Sequence, residues 1–487
     1  MTSIIRIPST PPLLVARHHD DRPGWRSGRL ELVTLIHVAG LLVFTTWDFG
    51  GETDFAQLAI SWWGSLALPL TIWACLRRYE RRKGLPAALQ WLWPLLGFDG
   101  LVLLSTLNPS FTYSLIGGTR MLVLGGAKAG WPSSALPALS LKALWQFNAI
   151  YLTSFNLVLA VMRRRILRML LYVLTINALV LGVMGSFQKL AGAPGLYFGL
   201  QHSPNDQFFA TFIYHNHWAA FMVLAIATAL GLLSHHSRQH HRESRRHSPV
   251  FAGLVATLFM AASVPLSGSR SCSALVLLLL TGALLHWLWR QRDARPAIGK
   301  SRGWSIGVAL AVFVIGLGSI YWMGQPVIDA RIAKTNSQLS ELRRQHSLGN
   351  RAQLYADTWY MAQQKPWFGW GLGSYATVFR IFSTERAVEP WFGPPFYAQA
   401  HSDWLQALAE VGFVGTALLV LLGAAPLAAT LRLGPPRSEA AYLLAGCGLL
   451  VLYAAVEFPF ANPAVQETFW LCYFTALRYH KLTVSNV

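Results

Sequence analysis

The feature that most constrains this chain is a recurring run of apolar residues, each about 17–25 long. A run of that length crosses a hydrocarbon core of about 30 Å at 1.5 Å per residue. About twelve such windows occur, near 30–47, 56–76, 87–107, 141–162, 166–188, 211–233, 250–267, 271–289, 303–323, 411–431, 440–457 and 463–479. A segment inside lipid must satisfy its backbone polar groups internally, which leaves helices as the solution for runs this long. The reading is an all-α polytopic membrane bundle of about twelve transmembrane helices. The low share of charged residues, 13%, against 53% hydrophobic excludes an ordinary soluble enzyme.

The basic residues orient this bundle, because Lys and Arg concentrate in cytoplasmic connections. They fall at Arg6 to Arg29, Arg77 to Lys83, Arg163 to Arg168, Arg238 to Arg246, Arg290 to Arg302, Arg432 to Arg437 and Arg478 to Lys481, which are alternate connections. Both termini are therefore expected in the cytoplasm. The segments are a cytoplasmic stretch 1–29, nine spans over 30–323, a periplasmic loop 324–410, three spans over 411–479 and a cytoplasmic tail 480–487. The net charge of +19 then records topology and calls for no nucleic acid. No cleavage site precedes the first span, which is expected to be retained. Cys75, Cys272, Cys447 and Cys472 lie in or beside spans without metal-ligand spacing and read as apolar packing residues.

The 324–410 loop is nearly charge-balanced, with Arg331, Lys334, Arg343, Arg344, Arg351, Lys365, Arg380 and Arg386 against Asp329, Glu341, Asp357, Glu385, Glu389, Asp403 and Glu410. It carries motifs in tight order. Ala352 to Gln364 has helical apolar spacing, and Pro366 with Gly369, Gly371 and Gly373 ends that helix in a turn. His401-Ser402-Asp403 follows, then Glu410-Val411-Gly412-Phe413-Val414-Gly415 at the return to the membrane. The glycines by themselves say no more than "turn". Glu410 either orients His401, or caps the following helix or forms a structural pair.

Three further features break the background. Arg270 sits between two spans on the outer side, where topology needs no cation. It either grips an anionic group with its planar fork or makes a structural ion pair. Asp99 lies within the third span, as an internal polar partner or as a proton carrier. Tyr214-His215-Asn216-His217-Trp218 stands at the mouth of the sixth span. His215 and His217 point in different directions on a helix, and no Asp-x-Asp pair occurs, so neither a metal nor any other cofactor is expected.

Together these residues resemble the O-antigen ligase and polymerase superfamily of bacterial membrane glycosyltransferases, over about 165–479. The family's Asn-Arg-Asn-His-Phe-Ala-like stretch looks like Tyr214 to Ala219, and its Ser-Arg-Gly-like turn looks like Ser269 to Ser271. Its long outer loop, with an Arg, a Pro-x-x-Gly-x-Gly-x-Gly run and a His-Asn pair, looks like 351–402. Glu457-Phe458-Pro459 resembles an acidic-Phe-Pro turn of members. His215 stands where an arginine is common, Ser271 where a glycine is, and Ser402 where an asparagine is. Residues 1–160 match only as generic spans.

The resemblance implies a GT-C-like architecture in the bacterial inner membrane. It also implies transfer of a glycan from undecaprenyl diphosphate to an acceptor hydroxyl at the periplasmic face. The acceptor would be lipid A-core, a second glycan or a protein Ser/Thr, with the ligase reaction ahead. The chemistry fits the residue types. A diphosphate leaving group needs its growing charge held, which suits Arg270, Arg351, His217 and Asn216. An acceptor hydroxyl needs a base, and a histidine titrates near neutrality, which selects His401. Glu410, Gly371 and Gly373 are supporting residues. Two other classes remain: a secondary transporter with Asp99 as its coupling acid, and a non-catalytic membrane scaffold.

Overall fold

In the computed structural model, the described residues are 28–80, 84–243, 249–293, 314, 318, 350–384 and 396–484. The expected span at 303–323, the start of the loop at 324–349 and most of the N-terminal segment lie outside them. Among the described residues, eight helices or helix pairs are long and apolar enough to cross a membrane. They comprise α1 (Arg29–Trp47), the pair α2 (Asp54–Ser65) and α3 (Ala67–Glu80), α4 (Trp93–Thr106) with the 3-10 turn before it, α6 (Arg164–Leu190), α8 (His215–Glu243), α9 (Val250–Ser267), α10 (Arg270–Asp293) and α13 (Asp403–Leu431). A one-turn α7 (Leu196–Gly199), and α11 (Asn350–Gln364) and α12 (Tyr375–Phe382) in the loop, complete the series before α13. Shorter or more polar helices pack among them: α5 (Pro137–Ala160), α14 (Ser438–Tyr453) and α15 (Pro463–Val484). The chain is an all-α polytopic membrane protein.

The core is set by which helices are enclosed on every side. All residues from His217 to Leu230 of α8 are buried, and so are those from Glu467 to His480 of α15. The apolar run of α8 belongs inside the bundle, whereas α10, with Leu278 and Leu285 exposed, presents a lipid-type face. Small residues let helices close up: a Cβ on Gly64 of α2 would lie 2.6 Å from Ala149 of α5.

Polar pairs between helices also knit the bundle. Asn148 of α5 donates to Asp99 of α4 at 2.9 Å, which gives Asp99 the internal partner of the first reading. Glu467 of α15 accepts from Thr45 of α1 at 2.8 Å. The four cysteines are free thiols, three of them buried.

One element was not anticipated. Between α4 and α5 the chain forms a hairpin, β1 (Phe111–Ile116) against β2 (Thr119–Leu124). Its two-residue turn, Gly117-Gly118, has φ of 58° and 79°, as a tight hairpin turn of right-handed strands requires. Six-residue strands leave no mark among apolar runs of about 20 residues.

This 107–136 connection is tied to the loop containing α11. Ala135 N donates to Trp370 O at 2.6 Å, and Ser140 Oγ to Leu372 O at 2.8 Å. Lys365 Nζ reaches Ser110 and Ser133 Oγ at 2.5 and 2.7 Å and lies 4.2 Å from the centre of the Trp370 ring. Burial pushes the Lys365 ammonium down to about 8.

Candidate active site

The glycine motif and the start of α13 are two halves of one clasp. Gly412 interrupts α13 with φ 62° and ψ −170°, freeing backbone donors that a straight helix would use. Phe413 N and Val414 N turn to Pro366 O and Trp367 O, at 2.8 and 3.1 Å. In return Trp370 N and Gly371 N donate to Ala409 O and Glu410 O, at 3.0 and 2.7 Å. The backbones approach so closely that a Cβ on Gly412 would lie 2.4 Å from Trp367 C, and one on Gly371, at φ 105°, 2.6 Å from Ser134 Oγ.

This geometry gives Glu410 a structural part. It lies inside α13, and its oxygens accept from Gly373 N at 2.8 Å, Tyr375 N at 3.0 Å and Gln406 Nε2 at 3.4 Å. It therefore caps α12 and holds the glycine turn, and neither orients His401 directly nor caps the helix that follows it. A link toward His401 passes through Gln406, whose Oε1 accepts from Ala400 N at 3.1 Å.

The helix cap belongs to Ser402, whose hydroxyl accepts from Leu405 N at 3.3 Å, with Asp403 in the first turn. Serine and asparagine are both strong N-caps, so this departure from the resembling pattern keeps the local physics. The cap leaves His401 with a φ of 53°, a left-handed conformation costly for a side-chain-bearing residue. Tyr355 of α11 pins it there, donating to His401 O at 2.8 Å.

The carboxylate beside His401 is Glu457, in the turn after α14, which ends at Tyr453 and so stops short of the span read at 440–457. Glu457 Oε1 accepts from Arg351 Nη2 at 2.6 Å and from Asn216 Nδ2 at 3.3 Å, while Oε2 stands 3.5 Å from His401 Nδ1. Burial opposes charge on Glu457, but His401 and Arg351 outweigh it and hold the carboxyl below its usual range. Phe458 is the floor. Its ring stacks on Tyr214 at 5.5 Å and takes the edges of His401 at 4.7 Å and His217 at 5.1 Å. His217 in turn places Nδ1 2.5 Å from Glu52 Oε1.

The structure thus brings His401, Arg351, Asn216 and His217 together around Glu457-Phe458. Arg270 opens α10 as an exposed residue, and its turn adjoins the site through Cys272, whose thiol lies against Tyr453. Gly371, Gly373 and Glu410 belong to the clasp. Glu457, Tyr355 and Glu52 were not singled out as site residues. Glu457 carried a legible signal in its Phe-Pro motif; Glu52 stood in a short acidic connection with none.

Behind Ser402 and Asp403, at the start of α13, lies a cavity of about 580 Å³. Phe98, Phe147, Leu419, Leu427, Phe469 and Trp470 form much of its wall, and Gln146, Gln399, Asp403 and Gln406 its polar end. Among the described residues no Lys, Arg or His lines it. Asp403 joins it to the site, with Oδ2 accepting from Phe460 N at 2.9 Å and its own N donating to Glu457 O at 3.2 Å.

Fold and site together define a polytopic helical membrane protein that couples a histidine, a carboxylate and an arginine on its loop side. Residues 255–420 match the family model described as O-Antigen ligase, in line with the resemblance to the O-antigen ligase and polymerase superfamily. Members of that family are glycosyltransferase-like enzymes. The match takes in Arg270, Arg351, the glycine turn, His401 and Glu410, and stops before Glu457. No curated protein matches the chain.

Proposed function

We propose that this protein is a glycosyltransferase of the bacterial inner membrane that moves a glycan from undecaprenyl diphosphate to an acceptor hydroxyl at the periplasmic face, as an O-antigen ligase. Both termini are then cytoplasmic and the 324–410 loop periplasmic. The observation that carries the reading is Glu457, which binds Arg351 and stands beside His401 in one half-buried site.

With Nδ1 turned to Glu457, His401 keeps Nε2 for the acceptor. As the acceptor oxygen forms its bond to the anomeric carbon, the bond from that carbon to the phosphate oxygen breaks, and His401 takes the hydroxyl proton. The electron pair leaves with the lipid diphosphate. Arg351, with 56% of its side chain exposed and further N–H donors outside the Glu457 bond, holds that charge with Arg270, His217 and Asn216. The apolar cavity suits part of a polyprenyl chain, and its acidic and amide end suits hydroxyls better than phosphate.

The test is the surface-glycan pattern of a deletion strain complemented with the wild-type chain or His401→Ala. Loss of lipid A-linked glycan with accumulation of carrier-linked polymer, unrescued by His401→Ala, is the expected result. Collapse to single repeat units makes the reaction polymerisation, and loss of glycan from protein alone makes it protein O-glycosylation. Unchanged glycans, or full rescue by His401→Ala, refute the assignment.

A further inference from the structure

A second carboxylate–histidine pair stands across Phe458 from the first, and it is built from a part of the chain in which the sequence carried no motif. Glu52 lies in the turn between α1 and α2. Its Oε1 takes His217 Nδ1 at 2.5 Å and Asn462 Nδ2 at 2.8 Å. Burial opposes charge on Glu52, but the neighbouring His217 overcomes it, and the carboxyl is held below its usual range.

The turn is shaped to deliver this carboxylate. Gly50 and Gly51 have φ of 68° and 80°, and a Cβ on Gly50 would lie 2.7 Å from Asn462 Nδ2 and 2.9 Å from Phe212. A Cβ on Gly51 would lie 2.9 Å from both Ile60 and Pro463. Only a backbone without side chains enters this crevice, and entering it puts Glu52 against His217.

His217 is 6% exposed. A carboxylate at Nδ1 fixes the proton on that nitrogen and leaves Nε2 as the working atom, which is how carboxylate–histidine pairs set tautomer and ring orientation. Nε2 is buried and has no protein partner among the described residues. An orphaned ring nitrogen is costly in a purely structural histidine, and the ring's edge packs on Phe458 beside the Arg351–Glu457 pair.

We infer that Glu52 is a positioning residue for the transfer reaction: it anchors His217 through Nδ1 so that Nε2 meets the phosphate oxygens of the lipid-linked donor. The inference rests on the proposed function and extends its site to the α1–α2 turn. In the protonated ring Nε2–H donates to the phosphate while Glu52 balances the ring's charge from the opposite side. Donor recognition thus draws on the first third of the chain, outside the matched domain.

The test uses the full-length chain in nanodiscs with undecaprenyl diphosphate as the probe, alongside donor and acceptor kinetics. Glu52→Gln and His217→Gln should each weaken binding of the probe and raise the donor KM about tenfold. The double variant should be no worse than either single one, the melting temperature should hold, and the acceptor KM should not move. Glu52→Asp should recover part of the affinity. Wild-type binding by Glu52→Gln, additive losses in the double variant, or equal losses for donor and acceptor would overturn the inference. If the wild-type chain itself does not bind the probe, the proposed function fails instead.

Discussion

Removing the Glu457 carboxylate should damage catalysis far more than folding, and the structure gives the sizes. In Glu457→Ala the Arg351 bond at 2.6 Å is lost, a charge-assisted contact of the kind worth about 1.5–3 kcal/mol. Arg351 is half exposed and rehydrates, and Asn216 keeps its bond to Tyr214 Oη at 2.7 Å. Relief of a buried carboxylate offsets more, so the net loss of stability should be about 1–2 kcal/mol. Activity loses the alignment of base and cation together, which at about 1.4 kcal/mol per decade amounts to roughly 100-fold or more.

Glu457→Gln separates the two effects. It keeps an acceptor for Arg351 and the shape of the side chain, so stability should stay within about 1 kcal/mol while turnover still falls at least about tenfold. The assay is glycan transfer by purified protein in nanodiscs, beside unfolding by titration with a denaturing detergent. Because the Glu457 carboxyl is held below its usual range, its contribution is present above that range and lost as pH falls through the depressed value. The wild-type melting temperature should therefore drop in acid more than that of Glu457→Gln. Normal turnover by Glu457→Gln, or a loss of stability in Glu457→Ala matching its loss of activity, would refute the reasoning.

Other consequences follow from the same geometry. His401→Gln should lower turnover by about 10²–10⁴-fold with donor binding intact, checked by kinetics alongside probe binding. Gly412→Ala puts a methyl 2.4 Å from Trp367 C at a left-handed φ and should destabilise the clasp by about 1–3 kcal/mol, read as a lower melting temperature and faster proteolysis of the loop. Lys365 is pushed down to about 8, so the native state sheds its proton first. Stability should then rise with pH from about 8 toward the ordinary lysine range, and Lys365→Met should abolish that slope in a melting series.

Much of the bundle was legible because its signal is one-dimensional: a run of apolar residues long enough for the bilayer is helical wherever it lies. The helices of the described residues follow those runs, with ends displaced where caps decide, as at Ser402, nine residues ahead of the run at 411. The glycine turn was legible as a turn, since left-handed backbone leaves a mark in residue type.

What the sequence could not supply was pairing across distance. Glu410, near His401 along the chain, turned out to serve the glycine turn, while Glu457 and Glu52, 56 and 349 residues away from it, face His401 and its neighbour His217. The order of residues along the chain determined which groups are available: a base, cations, carboxylates and a flexible turn. Only tertiary packing decided which carboxylate meets which histidine, because a carboxylate and a histidine couple over a few ångströms of space, whatever their separation in sequence.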